Sequence, residues 1–471
     1  MTRTDPGVTG ALRYLDAHFD GFKKSLGELC RIPSMSAEGF PREEVSRSAE
    51  AVADVLRASG VENVRVLEIP GVHPYVYGDW LKKPGAPTIL LYGHHDVQPP
   101  GRPEKWLSPA FEPTERKGRL YGRGTADDKG GVLAHVAAVA AYLNTAGALP
   151  CNVKFIVEGE EEIGSANLGR FLDKYKATMA ADYIVLSDTG NFDTGIPALT
   201  YQLRGICQVD VEVQGLERPI HSGRSGPIPD PVQILCALIA DLRAKDGSLN
   251  VPGLYKSVAR PSAKQLARIR ALSFGETKFK REAGMMPGMR LWGEKRYSVY
   301  ERTWTRPALT VIAFEARPFL GSSNQIIEAA RARLSLRTVP RMEAREVGRL
   351  LVKKLTSNPP SGAKVTARVR GGTPWWTTDP EGPAFEAARR ALRAGFGREA
   401  AMIGAGGSIG FVQPFADCLG GAPCLLMGVA DPACNAHSEN ESLHLGDWLK
   451  CMRAAVHLYA ELARVPLRRQ R

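Results

Sequence analysis

The sequence predicts an α/β fold: a mixed, mostly parallel sheet with helices on both faces, interrupted by an inserted α+β module. Three observations carry this expectation. Up to about Leu186, helical and β periodicities alternate, as a sheet with crossover helices requires. Near Thr200 the pattern changes to strictly alternating strands with two helices. Beyond Gly371-Gly372 the helical pattern returns. The 471 residues are about three domains' worth of chain. The expected division is 1–199 and 373–471 as two parts of one domain, with 200–372 inserted between them.

Taken in order, Leu12, Leu15, Phe19, Phe22 and Leu26 recur at helical spacing, and 45–58 reads as a second helix stopped by Gly60. Residues 64–69, 75–77 and 88–92 read as strands, the last a continuous apolar run suited to a sheet covered on both faces. The Ala-rich run 130–143 reads as a helix, 153–157 as a strand, 168–175 as a helix and 184–186 as a buried strand. In the insert, 208–214 alternates like a strand with one wet face. Strands 309–314, 332–337 and 365–369 and helices 232–242 and 347–355 complete a compact module. After it, Ala387, Ala388, Ala391 and Leu392 mark a helical face, 424–427 a strand and 448–462 a closing helix.

A composition of 44% hydrophobic and 24% charged residues excludes a disordered chain and a small disulfide-stapled scaffold. The net charge of +12 would favour an acidic partner, a nucleic acid or an anionic membrane if it were concentrated. It partly is: residues 256–306 carry thirteen Lys or Arg against four Glu. No nucleic-acid motif accompanies them, so the expectation is a solvated face that binds neither nucleic acid nor membrane. Arg468, Arg469 and Arg471 read as a solvated tail. The eight cysteines show no C-x-x-C or framework spacing. The amino-terminal stretch has no apolar signal core, and no later apolar run reaches the ~18 residues of a membrane span. An unprocessed, cytoplasmic protein is expected.

Five polar clusters stand at the ends of expected strands or in the loops after them, where open α/β sheets place ligands. Gly93-His94-His95-Asp96-Val97 could bind a metal through one imidazole nitrogen while a carboxylate orients the ring, or could be simple loop polarity. In Gly122-Arg123-Gly124-Thr125-Ala126-Asp127-Asp128-Lys129-Gly130 an Asp could be a ligand or a helix cap. Glu158-Gly159-Glu160-Glu161-Glu162-Ile163-Gly164 concentrates negative charge at a strand exit, where a cation would neutralise it; an exposed acidic turn is the alternative. Ser187-Asp188-Thr189 could be an Asx-turn, and Asn435-Ala436-His437-Ser438-Glu439-Asn440 a capping loop. Two His and three carboxylates without cysteine make a hard donor set suited to zinc, manganese or cobalt. Five such ligands suit two metals bridged by one carboxylate, with a Glu left over as general base, which is amide-hydrolysis chemistry.

In this order the clusters resemble the metal-dependent exopeptidases and deacylases: carnosinase-type dipeptidases, carboxypeptidase G, aminoacylase, acetylornithine deacetylase and succinyl-diaminopimelate desuccinylase. The resemblance runs from His94 to His437. It implies that Asp127 bridges two divalent ions, His94 and Asp188 completing one site and Glu162 and His437 the other. It further implies that Asp96 orients His94 and that Glu161 takes a proton from a water held between the ions and delivers it to the leaving nitrogen. Glu160 is left as a bystander. The insert resembles the family's lid and dimerisation domain, which implies a homodimer. His221 in His221-Ser222-Gly223 corresponds to a histidine that reaches the partner's site and stabilises the oxyanion. Asn324 falls where the family has a residue of related role. Arg337 falls where dipeptidases hold the substrate carboxylate, and Gly406-Gly407-Ser408-Ile409 resembles their glycine-rich substrate loop, so Gly407 and Ser408 join the candidate substrate residues.

The flanks Ala405 and Gly410 depart from the dipeptidases' Glu and Pro, and Ser323-Asn324-Gln325-Ile326-Ile327 departs from Lys-Thr-Val-Ile-Pro. These changes touch substrate selection and leave the ligand set intact. His95, His135, His444 and His457 match no ligand position. The implied function is cleavage of a dipeptide or short peptide bearing a free C-terminal carboxylate. Removal of an N-acyl group from an amino acid is the alternative, and a non-catalytic or nucleic-acid-binding protein a remote one.

Overall fold

The computed structural model describes residues 5–272 and 275–466. The tail Arg468, Arg469 and Arg471 lies outside the described residues, as do residues 1–4 of the amino-terminal stretch. The chain divides into two compact units: residues 1–201, 378–403 and 410–471 form the first, and 202–377 with 404–409 the second.

The first unit is an α/β domain. Its sheet runs in the order Glu62–Leu67, Tyr75–Trp80, Asn152–Glu158, Thr88–His94, Tyr183–Leu186, Cys424–Leu426 and Ala198–Leu203. The four middle strands are mutually parallel, while the first two and the last pair antiparallel, so the sheet is mixed with a parallel centre. The central strands are buried on both faces, which is why they read as apolar runs instead of alternating. The helix Lys129–Ala146 is buried along almost its whole length. Helices Pro6–Cys30 and Leu445–Leu462 pack on it, and Pro383–Phe396 packs on the latter. A helix enclosed by sheet and helices has no wet face to keep polar, hence its Ala and Val composition. Among the described residues no helix is long and apolar enough to cross a membrane.

The second unit has a four-stranded antiparallel sheet ordered Ala308–Glu315, Ala329–Thr338, Gly205–Gln214, Lys364–Thr373. Cys207, Val209, Val211 and Val213 stand directly opposite Leu336, Leu334, Ala332 and Ala330 to form one apolar face, against which helices Pro231–Asp241 and Ala344–Thr356 pack. The polar face carries Asp210, Glu212, Arg331 and Arg333. Within the basic stretch 256–306, each of the four glutamates meets a cation: Glu276 with Arg302, Glu282 with Lys278, Glu294 with Arg306 and Glu301 with Arg270. Thirteen cations against four glutamates leave this stretch a net charge of +9.

Candidate metal centre

Parallel strands deliver the site. Thr88–His94 and Asn152–Glu158 end side by side, with His94 opposite Glu158, and Tyr183–Leu186 ends two residues before Asp188. Their carboxyl ends therefore bring His94, the Glu161-Glu162 turn and Asp188 to one edge of the sheet. Asp127 arrives from the loop that opens the helix Lys129–Ala146. The Asp127-Asp128 peptide is cis. A side chain at Gly131 would lie 2.0 Å from the Asp128 carboxylate, so the turn requires glycine there.

Asp127 lies between two histidines and presents one oxygen to each. Its Oδ1 is 3.0 Å from His94 Nε2 and its Oδ2 is 3.0 Å from His437 Nε2. Asp188 Oδ1 stands 3.9 Å from the same His94 nitrogen, and Glu162 Oε2 3.1 Å from that of His437. Two triads result, His94, Asp127, Asp188 and Asp127, Glu162, His437, each with donor atoms within 4.8 Å of one another. Asp127 is common to both.

Asp96 organises this set from behind. His94 Nδ1 lies 3.0 Å from the Asp96 carbonyl oxygen and 3.4 Å from its Oδ1. The Asp96 carboxylate accepts the backbone N–H groups of Glu161 and Glu162 and the Ser36 hydroxyl. One buried aspartate thus fixes both the imidazole and the glutamate turn. Glu162 is further held by Gln98 through its backbone and side-chain amides. Among the described residues the Glu161 carboxylate has no hydrogen-bond partner, which leaves it free to exchange a proton. Glu160 is fully buried and occupied by Asn167 and Tyr75, a structural role.

The electrostatics ask for a cation. Burial disfavours a charged His94, yet the hydrogen bonds to Asp127 and Asp96 lift it well above the ordinary imidazole range. Hydrogen bonds to Asp127 and Glu162 push His437 up to about 11. Burial, and next the charge of Asp188, raise Glu161 well above the usual carboxylate range, and burial and nearby carboxylates do the same to Asp188. Both triads thus favour positive charge among their carboxylates, which a divalent ion would supply. The hard nitrogen and oxygen donors fit zinc, manganese or cobalt, and no thiolate enters either triad.

Sequence reasoning missed the device that holds the two loops together. Arg123, inside the motif but given no role, donates to Glu441 Oε2 at 2.6 Å and to the carbonyls of Pro99 and Ser438. Glu441 Oε1 accepts the backbone N–H groups of Ala126 and Asp127. Asn440 bridges to Lys105 and Leu107. Asn435, His437 and Asn440 all adopt positive φ, a conformation that non-glycine residues hold only where surroundings enforce it. The available signal was a Glu four residues after His437.

The candidate substrate residues form two clusters in the second unit. Gln325–Ile326 pairs with Ile220–His221, and Asn324 accepts the Ser222 N–H, so His221 and Asn324 are neighbours. His221 Nδ1 accepts the Gly223 N–H, which places its proton on Nε2. Arg337 donates to Ser408 Oγ at 2.9 Å, with Gly407 beside it.

Residues 90–464 match the model of peptidase family M20/M25/M40. The cysteinylglycine-S-conjugate dipeptidase of Corynebacterium striatum is 34% identical over 361 residues, covering 76% of this chain and 77% of that protein. The human Beta-Ala-His dipeptidase is 29% identical, covering 96% of this chain and 92% of the relative. The crystal structure of human carnosine dipeptidase 1 superposes with a TM-score of 0.85 at 28% identity over 97% of this chain and 99% of that one. The di-peptidase Dug1p of Saccharomyces cerevisiae shares the fold, with a TM-score of 0.86 at 24% identity over 98% of this chain and 99% of that one. With four-fifths of its length matched by one family model and both histidines and all five acidic site residues inside the match, the chain belongs to peptidase family M20/M25/M40.

Proposed function

We propose that the protein is a metal-dependent dipeptidase that hydrolyses the amide bond of dipeptides or short peptides bearing a free C-terminal carboxylate. The observation that carries the reading is Asp127, which offers one oxygen to His94 and the other to His437, with Asp188 and Glu162 completing the two triads. His94, Asp127 and Asp188 would hold one divalent ion, and Asp127, Glu162 and His437 a second, with zinc favoured over manganese or cobalt. Such ions polarise a scissile carbonyl and make water a stronger acid.

The chain's own residues do the rest. Asp96 keeps His94 Nδ1 engaged so that Nε2 faces the triad. The Glu161 carboxylate accepts a proton from the attacking water as its oxygen bonds to the carbonyl carbon. It then returns that proton to the amide nitrogen as the C–N bond breaks, giving a carboxylate and an amine. His221, with its proton on Nε2, would act in the site of the partner subunit of a dimer, donating to the oxygen that gains charge in this addition, an interaction worth ~2.7–4 kcal/mol of barrier in comparable oxyanion sites. Asn324 stands beside it, and Arg337, Ser408 and Gly407 are suited to the substrate carboxylate.

We also infer a homodimer through the inserted unit and a cytoplasmic location, the latter supported by eight free cysteines. Sedimentation of the purified protein checks the dimer. The function is tested by assaying dipeptides against N-acetyl and N-succinyl amino acids with zinc, manganese and cobalt. Turnover of dipeptides is expected, and turnover of acylated amino acids alone would overturn the reading in favour of a deacylase.

A further inference from the structure

We propose that Arg204 is a substrate-binding residue that joins Arg337 and the loop at 406–408 in a two-arginine receptor for the peptide's terminal carboxylate. The inference rests on the dipeptidase reading and adds to it a residue that the sequence motifs do not mark.

The argument begins with the polar face of the four-stranded sheet. Arg331, Arg333 and Arg337 lie on that face of the strand Ala329–Thr338, with Ser335 between the last two. Two of them are neutralised: Arg331 lies 2.7 Å from Glu315, and Arg333 lies 2.7 Å from Asp210. Arg337 is not. Among the described residues no carboxylate comes within ion-pair distance of it. Its cross-strand partner is Ile206, and Arg204, just ahead of that strand, reaches the same 406–408 loop as Arg337. The neighbour of the unpaired guanidinium is a second guanidinium, which likewise has no carboxylate within ion-pair distance among the described residues.

Both arginines are anchored but keep donors in hand. Arg204 Nε donates to the Gly406 carbonyl at 3.0 Å, and its backbone N–H donates to the Gly407 carbonyl. Arg337 donates one terminal nitrogen to Ser408 Oγ. The terminal nitrogens of Arg204, and Nε and the other terminal nitrogen of Arg337, have no hydrogen-bond partner among the described residues. Gly406 eases this approach. A side chain there would come within 3.1 Å of an Arg204 terminal nitrogen and 3.0 Å of the Thr303 methyl.

Two partly buried cations side by side are costly unless an anion joins them. Burial, and then the charge of Arg337, push Arg204 down to about 10. The arrangement holds a pair of planar forks around a glycine-rich loop, and a carboxylate, with two oxygens and four lone-pair sites, satisfies it. The product of peptide cleavage carries the same group, so the receptor would favour free C-termini and reject amidated ones.

The test uses the metal-loaded full chain with Gly-Leu and its C-terminal amide as substrates, comparing wild type, Arg204→Gln and Arg204→Lys, with circular dichroism and Tm recorded for each. Wild type is expected to prefer the free dipeptide, and Arg204→Gln to lose about ten-fold or more of that preference. The loss should fall on KM for the free dipeptide. Arg204→Lys keeps the charge without the fork and is expected to lie between, and it carries the test if Arg204→Gln does not fold. A folded variant that retains the wild-type preference within about two-fold overturns the assignment while leaving the dipeptidase reading in place. Hydrolysis of neither substrate by wild type overturns both.

Discussion

Glu161 and Glu158 stand three residues apart at one strand exit and show how environment divides two glutamates between chemistry and structure. Glu161 has no side-chain hydrogen bond among the described residues and sits among Asp188, His94, Glu162 and Asp127. Replacing it by Gln removes the proton acceptor and preserves shape. We expect kcat to fall about 10²–10⁴-fold, the usual range for a general base, with metal content by elemental analysis unchanged. Equal loss of metal would mean that Glu161 serves as a ligand instead. Glu158 is fully buried, with its two oxygens accepting the Tyr75 and Tyr92 hydroxyls. Burial is the largest influence on it and raises its pKa from 4.5 to about 7. Below pH 4.5 the group is protonated in both folded and unfolded chains and has no effect. Between 4.5 and 7 only the unfolded chain gives up its proton, so stability falls as pH rises and then levels off above 7. That span corresponds to about 3 kcal/mol. Urea unfolding with chelator present should show wild type losing about that much relative to Glu158→Gln between the two ends of the window. Parallel pH dependences for the two proteins would remove Glu158 from the account. The ligands themselves were legible in the sequence because each lies in a short motif next to a strand end. Glu158 sits in the same motif, yet its role follows from tyrosines on other strands, which no local pattern displays.

Elements that carry a strong period are visible in the sequence; those defined by their neighbours are not. The strand Gly205–Gln214 alternates buried and wetter positions and reads directly, as does the buried helix Lys129–Ala146. The strand Ala198–Leu203 is buried at every position, mixing Thr200 and Gln202 with apolar residues, and shows no period at all. Ala401–Ala405 and the short helices Ala263–Ala271, Glu276–Glu282 and Val299–Trp304 likewise lack a face wide enough to register. The loops of the metal centre are the extreme case. The segments around Asp127 and His437 are far apart in sequence, and the Arg123–Glu441 ion pair fastens one to the other. Both side chains are buried, so removing one charge leaves the other unpaired inside the protein. Glu441→Gln also weakens acceptance of the Ala126 and Asp127 N–H groups. The expected cost is about 3–5 kcal/mol of unfolding free energy in the metal-free protein. A weaker metal affinity in chelator competition should accompany it, because Asp127 belongs to both triads. A variant as stable as wild type would show that the loops hold their shape without the pair.

At the scale of the whole molecule, each unit has its own apolar core. One is built on the helices and central strands of the first unit, the other on the alternating strands and two helices of the second. The surplus of positive charge in residues 256–306 belongs to the second unit, and all five candidate ligands belong to the first. Metal binding should therefore stabilise the molecule unevenly. An ion that binds only the folded first unit stabilises it by about 4 kcal/mol when its concentration is a thousand times its Kd, and a domain of this size gains a few degrees of Tm for that. The second unit supplies no ligand and has no direct share in that gain. Calorimetry of the metal-loaded and chelated protein is expected to resolve two transitions, with the one that moves down on chelation being the one Asp127→Asn also lowers. A single transition, or two that shift together, would mean that the units unfold as one and that the stability of the insert is tied to the metal centre. The two-core arrangement predicts the first outcome, because each core closes without residues of the other.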